Sequence, residues 1–391
     1  MLAGARGKFA GLLFGIAFAS FLVTFAASYL AGFLTRGFAL LSENPEAKIW
    51  VMDPTVTSAD LTTNLADWAL PRVRSVPGVR FATPLALGSA TVRFPNGTFQ
   101  SFQIVGVDDA TLAGAPAAGA AGGALVLRSP DAVIVASGGT SGKLQTPLRE
   151  ADRWPHDGPH LGVPTRRLAR GDVLQVNDRR VVVQGVAAAL PRFPPRPLLY
   201  TTLSNARRIL LPERHRVTFV LVSVAPGTEA APVARRIEAQ TGLRARTEAE
   251  FKADTVRWYL RTSEDVGDMT AMLMLAMLVG SGVTGIMLYL FTSEHLKQYA
   301  VLKAMGASPA MLLSMLFTQV GLCALLGTGL GVGSCGIVGE LAAALYQYPF
   351  RMMWFTPLVG LVAVVIISIV AALFSIRPVL KLEPATVFVG R

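Results

Sequence analysis

Gly280-Ser281-Gly282-Val283-Thr284-Gly285 has the Gly-x-Gly-x-x-Gly spacing with which a strand-to-helix turn receives a dinucleotide pyrophosphate. No strand precedes it. The six residues lie inside an apolar stretch, where small side chains instead let two helices approach closely. Gly138-Gly139-Thr140-Ser141-Gly142-Lys143 resembles a phosphate loop. Its first glycine is displaced by one position, Leu144 stands where Ser or Thr would meet magnesium, and Pro147 stands where a helix should begin. His156 and His160 have the i, i+4 spacing of two metal ligands on a helix, but Pro155, Gly158 and Pro159 oppose that helix and no cysteine or spaced acid completes a ligand set. His215 and His295 are isolated, and no nucleophile stands with a base. The expectation is a chain that is not an enzyme, with no catalytic, cofactor or metal site of its own.

The elements that hold these residues are dominated by four apolar stretches, Phe9–Leu34, Val266–Thr292, Met311–Gly339 and Phe355–Ile376. Each exceeds the ~20 residues that a helix needs to cross a bilayer core. The first is too long for the h-region of a cleavable signal, although Ala26-Ala27-Ser28 would suit a peptidase. The expected order is 1–35 for the N-terminus and first span, 36–265 for an extramembrane domain, and spans at 266–292, 311–339 and 355–376. Loops at 293–310 and 340–354 and a tail at 377–391 complete the chain. Lys and Arg resist translocation in short segments. Arg6, Lys8, Lys297, Lys303, Arg377, Lys381 and Arg391 therefore place both termini and the 293–310 loop in the cytoplasm, with the domain outside.

The formal charge is +11. The basic residues of the large domain are scattered, with no aromatic-interleaved stripe of the kind that tracks nucleic acid, so no nucleic-acid partner is expected. Cys323 and Cys335 lie twelve residues apart in one span, about 18 Å along a helix, and cannot pair with each other.

Within 36–265 the two flanks, about 36–107 and 216–247, read alike. One has a strand at 48–52, a helix capped by Ser58 or Asp60 that runs to about Val76, and a strand at 79–94. The other has a strand at 218–224, a helix capped by Thr228 with Val233 and Ile237 inward and Gly242 at its end, and a strand at 243–246. Together they predict one α+β subdomain. The middle, about 108–215, is rich in Gly, Pro and Ala, including Pro191, Pro194, Pro195 and Pro197, and predicts an inserted, mostly β subdomain. It should contain a strand at 132–136 and a hairpin turning at Asn177-Asp178, while Asn96-Gly97 turns a hairpin over 90–107. Thr247 and Glu250 form a capping box that starts a stalk helix, 248–265, through Phe251 and Trp258. No Gly or Pro interrupts it before Gly267, so it is expected to run on into the second span.

Two further patterns matter. Span three carries Gly327, Gly329, Gly331 and Gly333, whose spacings of four predict close helix packing, as do Gly280, Gly282 and Gly285. The 293–310 loop predicts a short amphipathic helix with Tyr299, Leu302 and Met305 on its apolar face, ended by Gly306 and followed by Pro309.

The loop, whose run Leu302-Lys-Ala-Met-Gly-Ala-Ser308 follows an acidic Glu294, resembles the coupling-helix motif of the MacB/FtsX superfamily of ABC-transporter permeases. The tail Arg377-Pro-Val-Leu-Lys-Leu-Glu-Pro384-Ala385 is similar to that superfamily's terminal pattern, and the one-plus-three order of spans agrees. Gly15-Ile-Ala-Phe-Ala19, Gly185-Val186, Thr247-Glu-Ala-Glu-Phe251 and Trp258-Tyr259 look like the DevC-like branch associated with glycolipid export. In contrast to that branch, small residues occupy 115–125.

The resemblance implies a four-span α-helical membrane protein of the bacterial inner membrane, with a periplasmic α+β domain. It implies a homodimer bound to two separate ABC ATPase subunits that hold MgATP. Tyr299, Ala300, Leu302 and Met305, with the turn at Gly306, would contact each ATPase; Glu294, Lys297 and Lys303 would orient it. Further implied partners are a periplasmic membrane-fusion adaptor, a TolC-like outer-membrane channel and membrane lipid. The cargo would be a lipid, glycolipid or other hydrophobic molecule. Alternatives within the superfamily are an FtsX-like regulator of a cell-wall hydrolase and a permease that extracts lipoprotein or lipid.

Overall fold

The computed structural model describes residues 6–116, 123–140, 142–148, 158–211, 217–294 and 296–375. In chain order the helices are α1 (Arg6–Gly37), α2 (Ala39–Ser42), α3 (Ala69–Arg74), α4 (Leu203–Ile209), α5 (Ala230–Thr241), α6 (Glu248–Thr262), α7 (Glu264–Glu294), α8 (Leu296–Ala304), α9 (Pro309–Tyr346) and α10 (Phe355–Ser375). The strands are β1 (Ile49–Met52), β2 (Val79–Arg93), β3 (Phe99–Val107), β4 (Ala132–Ala136), β5 (Gln145–Pro147), β6 (Thr165–Arg167), β7 (Val173–Val176), β8 (Arg179–Ala187), β9 (Leu198–Thr202), β10 (Phe219–Val224) and β11 (Arg244–Thr247). Residues 34–262 form an α+β unit, and 1–33 with 263–391 form a helical unit.

In the α+β unit, β1 is an unbroken apolar run because both faces of its sheet are covered. Ile49 and Val51 join Val73, Val233 and Ile237 from the helices on one face. Trp50 and Met52 join Phe219, Leu221 and Phe251 on the other. The sheet runs β11-β1-β10-β2-β3-β9-β4-β8-β7, and β7 also pairs with β2. That last pairing, Val92 with Val176 and Arg93 with Gln175, closes β2, β3, β9, β4, β8 and β7 into a barrel. Val92, Phe102, Ile104, Val133, Val135 and Val183 share its core.

The segment 108–215 is mostly β, as its turn residues suggest, but it does not close on itself. Its strands pair with the β2–β3 hairpin, which lies in the first flank. Strand β2, at 15 residues, is long enough to serve both regions: its first part pairs with β10 and its second with β3. The hairpin turns follow the local chemistry. Asn177 and Asp178 both take positive φ, 42° and 64°, as a type I′ turn requires. At Asn96-Gly97 the Phe94 N–H donates to the Thr98 carbonyl at 2.8 Å.

Three local expectations need correction. The helix expected from Ser58 or Asp60 is confined to Ala69–Arg74. Before it, short polar side chains bind nearby backbone instead: Asp53 accepts from the Thr55 N–H at 2.9 Å and Ser58 from the Asp60 N–H at 3.4 Å, a competition that disfavours helix. Helix α5 begins after Glu229, not Thr228, although Gly242 ends it at φ 70° as expected. The stalk helix also stops at Thr262, and α7 starts at Glu264, so Ser263 separates two helices where a continuous one was expected.

In the helical unit, α1, α7, α9 and α10 are long and apolar enough to cross a membrane, over Phe9–Gly37, Glu264–Leu290, Ala310–Tyr346 and Phe355–Leu373. Helix α1 is touched by the other three. A Cβ at Gly280 of α7 would stand 2.8 Å from Ala19 Cβ, one at Gly327 of α9 would stand 2.7 Å from Ile16 Cγ2, and one at Gly360 of α10 would collide with Thr24. Helices this close leave no room for side chains between them, and small residues at the crossing gain dispersion contacts along the backbone.

Candidate functional site

The loop after α7 is built as a rigid helical corner. At the end of α8 the Ala307 N–H donates to the Leu302 carbonyl at 3.0 Å and the Gly306 N–H to the Lys303 carbonyl at 3.1 Å. This is a Schellman cap, and its left-handed position is Gly306, φ 91°. Two residues later Ser308 caps α9: its hydroxyl accepts from the Met311 N–H at 3.3 Å, and Pro309 takes the first helical turn, where a missing N–H costs nothing. The run Leu302–Pro309 is thus the physical specification of a stop followed at once by a start.

Leu302 and Ala307, the hydrophobic pair that usually accompanies such a cap, are partly buried against Leu12, Leu288, Leu312 and Val320. Ala300 is also buried, 1% exposed, whereas Val301 and Met305 are 42% and 70% exposed. The expected apolar face therefore divides. Leu302 holds α8 to its own bundle, Ala300 has no side-chain surface to offer a partner, and Val301, absent from the sequence-based set, joins Met305 on the outside. The residue period of the helix alone could not assign the faces, because both carry apolar residues. Lys303 is partly buried, and the side chains of Glu294, Lys297 and Tyr299 lie outside the described residues, as does the whole tail motif at 377–385.

The stalk helix α6 is tied down at its root. Its capping box forms in both directions: the Glu250 N–H donates to Thr247 Oγ1 at 3.3 Å, and the Thr247 N–H donates to Glu250 Oε2 at 2.9 Å. Phe251 is fully buried between Trp50 and Phe219, with ring centroids 6.1 and 5.9 Å away. Trp258 is half-buried edge-on to Tyr259, whose ring sits where a Cβ of Gly37 would be, so the α+β unit grips the end of α1 and the stalk together.

Asp254 of α6 binds Arg244 at 2.7 Å and Arg246 at 3.3 Å on edge strand β11. Burial pulls its pKa upward, but the hydrogen bonds and charges of the two arginines overcome this and hold the carboxyl below its usual range. A depressed folded pKa gives stability that is present above the unfolded value of ~3.9 and is lost as pH falls through the lower folded value. Asp254→Asn is expected to cost about 1–3 kcal/mol near neutral pH, because the guanidinium groups of Arg244, Arg246 and Arg257 lose a charged acceptor. Thermal unfolding of the purified chain should show this deficit at pH 7, and the gap to wild type should close on acidification below about pH 4.

The glycines of span three separate by face. Gly327 and Gly331 lie against α1, where a Cβ at Gly331 would meet the Ala17 carbonyl and stand 2.6 Å from Ser20 Cβ, while Gly329 and Gly333 face open space. In α7, Gly280 packs on Ala19, but Gly282 and Gly285 are open. These two border an apolar groove of about 380 Å³ with Ile286, Ile367 and Val370. Close packing within the chain thus accounts for Gly280, Gly327 and Gly331, and not for Gly282, Gly285, Gly329 and Gly333.

Of the sequence patterns set aside at the outset, Gly280–Gly285 lies in helix α7, and Ser141 and His156 lie outside the described residues. Among the described residues no group of His, Cys, Asp or Glu could hold a metal.

Known proteins agree with this architecture in both units. The MacB-like periplasmic core domain family matches residues 9–240, and the FtsX-like permease C-terminal family matches residues 270–384. Uncharacterised ABC transporter permeases of Mycobacterium tuberculosis and Mycobacterium bovis are 25% identical over 333 residues, covering 84% of this chain and 80% of theirs. Among solved structures, the periplasmic region of MacB from Actinobacillus actinomycetemcomitans matches with 12% identity and a TM-score of 0.35, over 57% of this chain and 98% of that one. A domain of a permease protein from Porphyromonas gingivalis matches with 16% identity and a TM-score of 0.32, over 51% and 89%. With one family covering the first span and most of the α+β unit and the other covering the remaining spans and the α8 corner, the chain belongs to the MacB/FtsX superfamily of ABC-transporter permeases.

Proposed function

We propose that this permease transmits mechanical work rather than conducting a solute. A separate ATPase subunit hydrolyses MgATP against the α8 corner in the cytoplasm, and the resulting movement reaches the periplasmic α+β unit. The observation that carries the reading is the corner itself. A helix closed by a Schellman cap and followed at once by a capped span cannot yield locally, so a push on Val301 and Met305 is passed to α7 and α9. Helix α7 is joined to the stalk α6 through Ser263 alone, which makes that residue the pivot of the lever. Phe251, Thr247 and Glu250 fix the far end.

In this reading both termini are cytoplasmic and the membrane is the bacterial inner membrane. Two copies associate, and the open glycine face at Gly282 and Gly285 supports a second permease as its neighbour. The cargo is a lipid, glycolipid or other hydrophobic molecule, in keeping with the DevC-like resemblance. It is handed to a membrane-fusion adaptor and a TolC-like channel. The full chain, solubilised and captured with the products of its neighbouring genes, is expected to retain an ATPase and an adaptor. Retention of a cell-wall hydrolase in the adaptor's place would overturn the export reading in favour of regulation.

A further inference from the structure

The loop 347–354 between α9 and α10 has a placement that the coupling mechanism does not use. Gln347 ends α9 in the left-handed region at φ 55°, and the residues after it lie against α1. Tyr348 stacks on Tyr29 and Phe25, with ring centroids 4.7 and 5.9 Å away, and Phe350 meets Phe25 at 5.6 Å. The Arg351 N–H donates to the Ser28 carbonyl at 3.1 Å. The loop is therefore clasped to α1, and whatever fixes its depth fixes that of α1.

Its outer side is open. Trp354 is 82% exposed, and the ring contact it makes is with its neighbour Phe355, edge-on at 5.9 Å. Arg351 is also exposed and makes no ion pair among the described residues. An indole this bare presents a large apolar face together with one N–H donor, a combination that suits the boundary between hydrocarbon and water.

That boundary falls at the loop on both helices. The apolar span of α10 covers Phe355–Leu373, 19 residues or roughly 28 Å as a helix, no longer than a bilayer core of ~30 Å requires. Phe355 thus stands at the edge of the core, and Trp354 just beyond it. In α9 the first charged residue is Glu340, and the Phe350 ring occupies the place where a Cβ of the preceding Gly339 would be. Both helices therefore change from apolar to polar at the level of this loop. We propose that the loop is seated in the phospholipid headgroup layer, with Trp354 as its interfacial anchor and the Arg351 guanidinium at the level of lipid phosphate. Arginine bridges that depth because its methylene stem lies along apolar surface while its head reaches phosphate oxygens.

The test uses the full chain in phosphatidylcholine nanodiscs that carry a spin label either on the headgroup or deep in the acyl chain. Trp354 emission is read as the difference between wild type and Trp354→Phe, which exchanges one exposed ring for another. The headgroup label is expected to remove most of that emission, and the deep label little of it. An NBD fluorophore on Arg351→Cys, with Trp354 in place and the native Cys323 and Cys335 buried, should show the same order. Quenching mainly by the deep label would put the loop within the hydrocarbon, and quenching by neither would mean that protein covers it. Either result overturns the proposal. Both leave the coupling reading untouched, because the depth of the loop is the same whichever face of the membrane it occupies.

Discussion

Val301→Asp combined with Met305→Asp is expected to abolish co-purification of the ATPase while leaving the permease folded and in the membrane. Both side chains are exposed, at 42% and 70%, so carboxylates there stay hydrated in the free permease and cost it little. In a complex the same carboxylates would be buried against the partner. An uncompensated buried charge costs about 3–5 kcal/mol, which corresponds to roughly two to four orders of magnitude in affinity. Leu302→Asp provides the contrast. Because Leu302 is partly buried against the apolar core that contains Leu12, Leu288 and Leu312, its substitution should lower the thermal stability of the permease itself as well as ATPase binding. Size-exclusion profiles of each variant, with and without the ATPase, separate the two effects. If the double variant kept full ATPase binding, the outer face of α8 would not be the contact surface.

The second large effect lies inside the membrane. Gly331→Leu should prevent the helical unit from forming a stable bundle, whereas Gly333→Leu should be tolerated. At Gly331 the new Cβ would meet the Ala17 carbonyl and the backbone of Phe21, 2.9 Å from its nitrogen, so no flexible side chain is available to move aside. Overpacking of this kind costs 1–3 kcal/mol and occasionally more, and a clash with backbone belongs at about 3 kcal/mol or above. At Gly333 nothing stands within 4 Å, and the substitution should change stability by less than about 0.5 kcal/mol. The monodisperse fraction after detergent extraction, followed over temperature, distinguishes the pair. If Gly333→Leu fails while Gly331→Leu is tolerated, α9 packs through its other face.

Much of this arrangement was legible from residue order, and the remainder depends on partners distant in the chain. Local chemistry located the caps and turns: Thr247 with Glu250, Gly242, Asn96-Gly97 and Asn177-Asp178 each behave as their own neighbours require. The spans were legible for the same reason, since crossing a bilayer is a property of one continuous segment. The barrel was not. Its closure rests on β2 pairing with β7 across some eighty residues, and on parallel pairings of β3 with β9 and β4 with β8 that no short-range signal announces. The ion pair of Glu43 with Arg192 is of the same kind, because the two are 149 residues apart.

On α8 the residue spacing located the helix but grouped Leu302 with Met305 on one face, whereas Leu302 packs inward and Met305 is exposed. An apolar residue beside a membrane bundle and one facing a protein partner look alike until the bundle is built. The break at Ser263 was missed because neither Gly nor Pro marks it. Ser58 and Asp60 misled in the opposite sense, since residues that cap helices also stabilise loops.

The lever requires that the α8 corner and the α+β unit stand on opposite faces of the membrane. With Cys323 and Cys335 buried in α9, single cysteines at Met305 and at Arg180 can report this through a membrane-impermeant maleimide applied to intact spheroplasts. Labelling of Arg180→Cys from outside, and of Met305→Cys only after the membrane is opened, is the predicted result. Labelling of both positions from the same side would contradict the account.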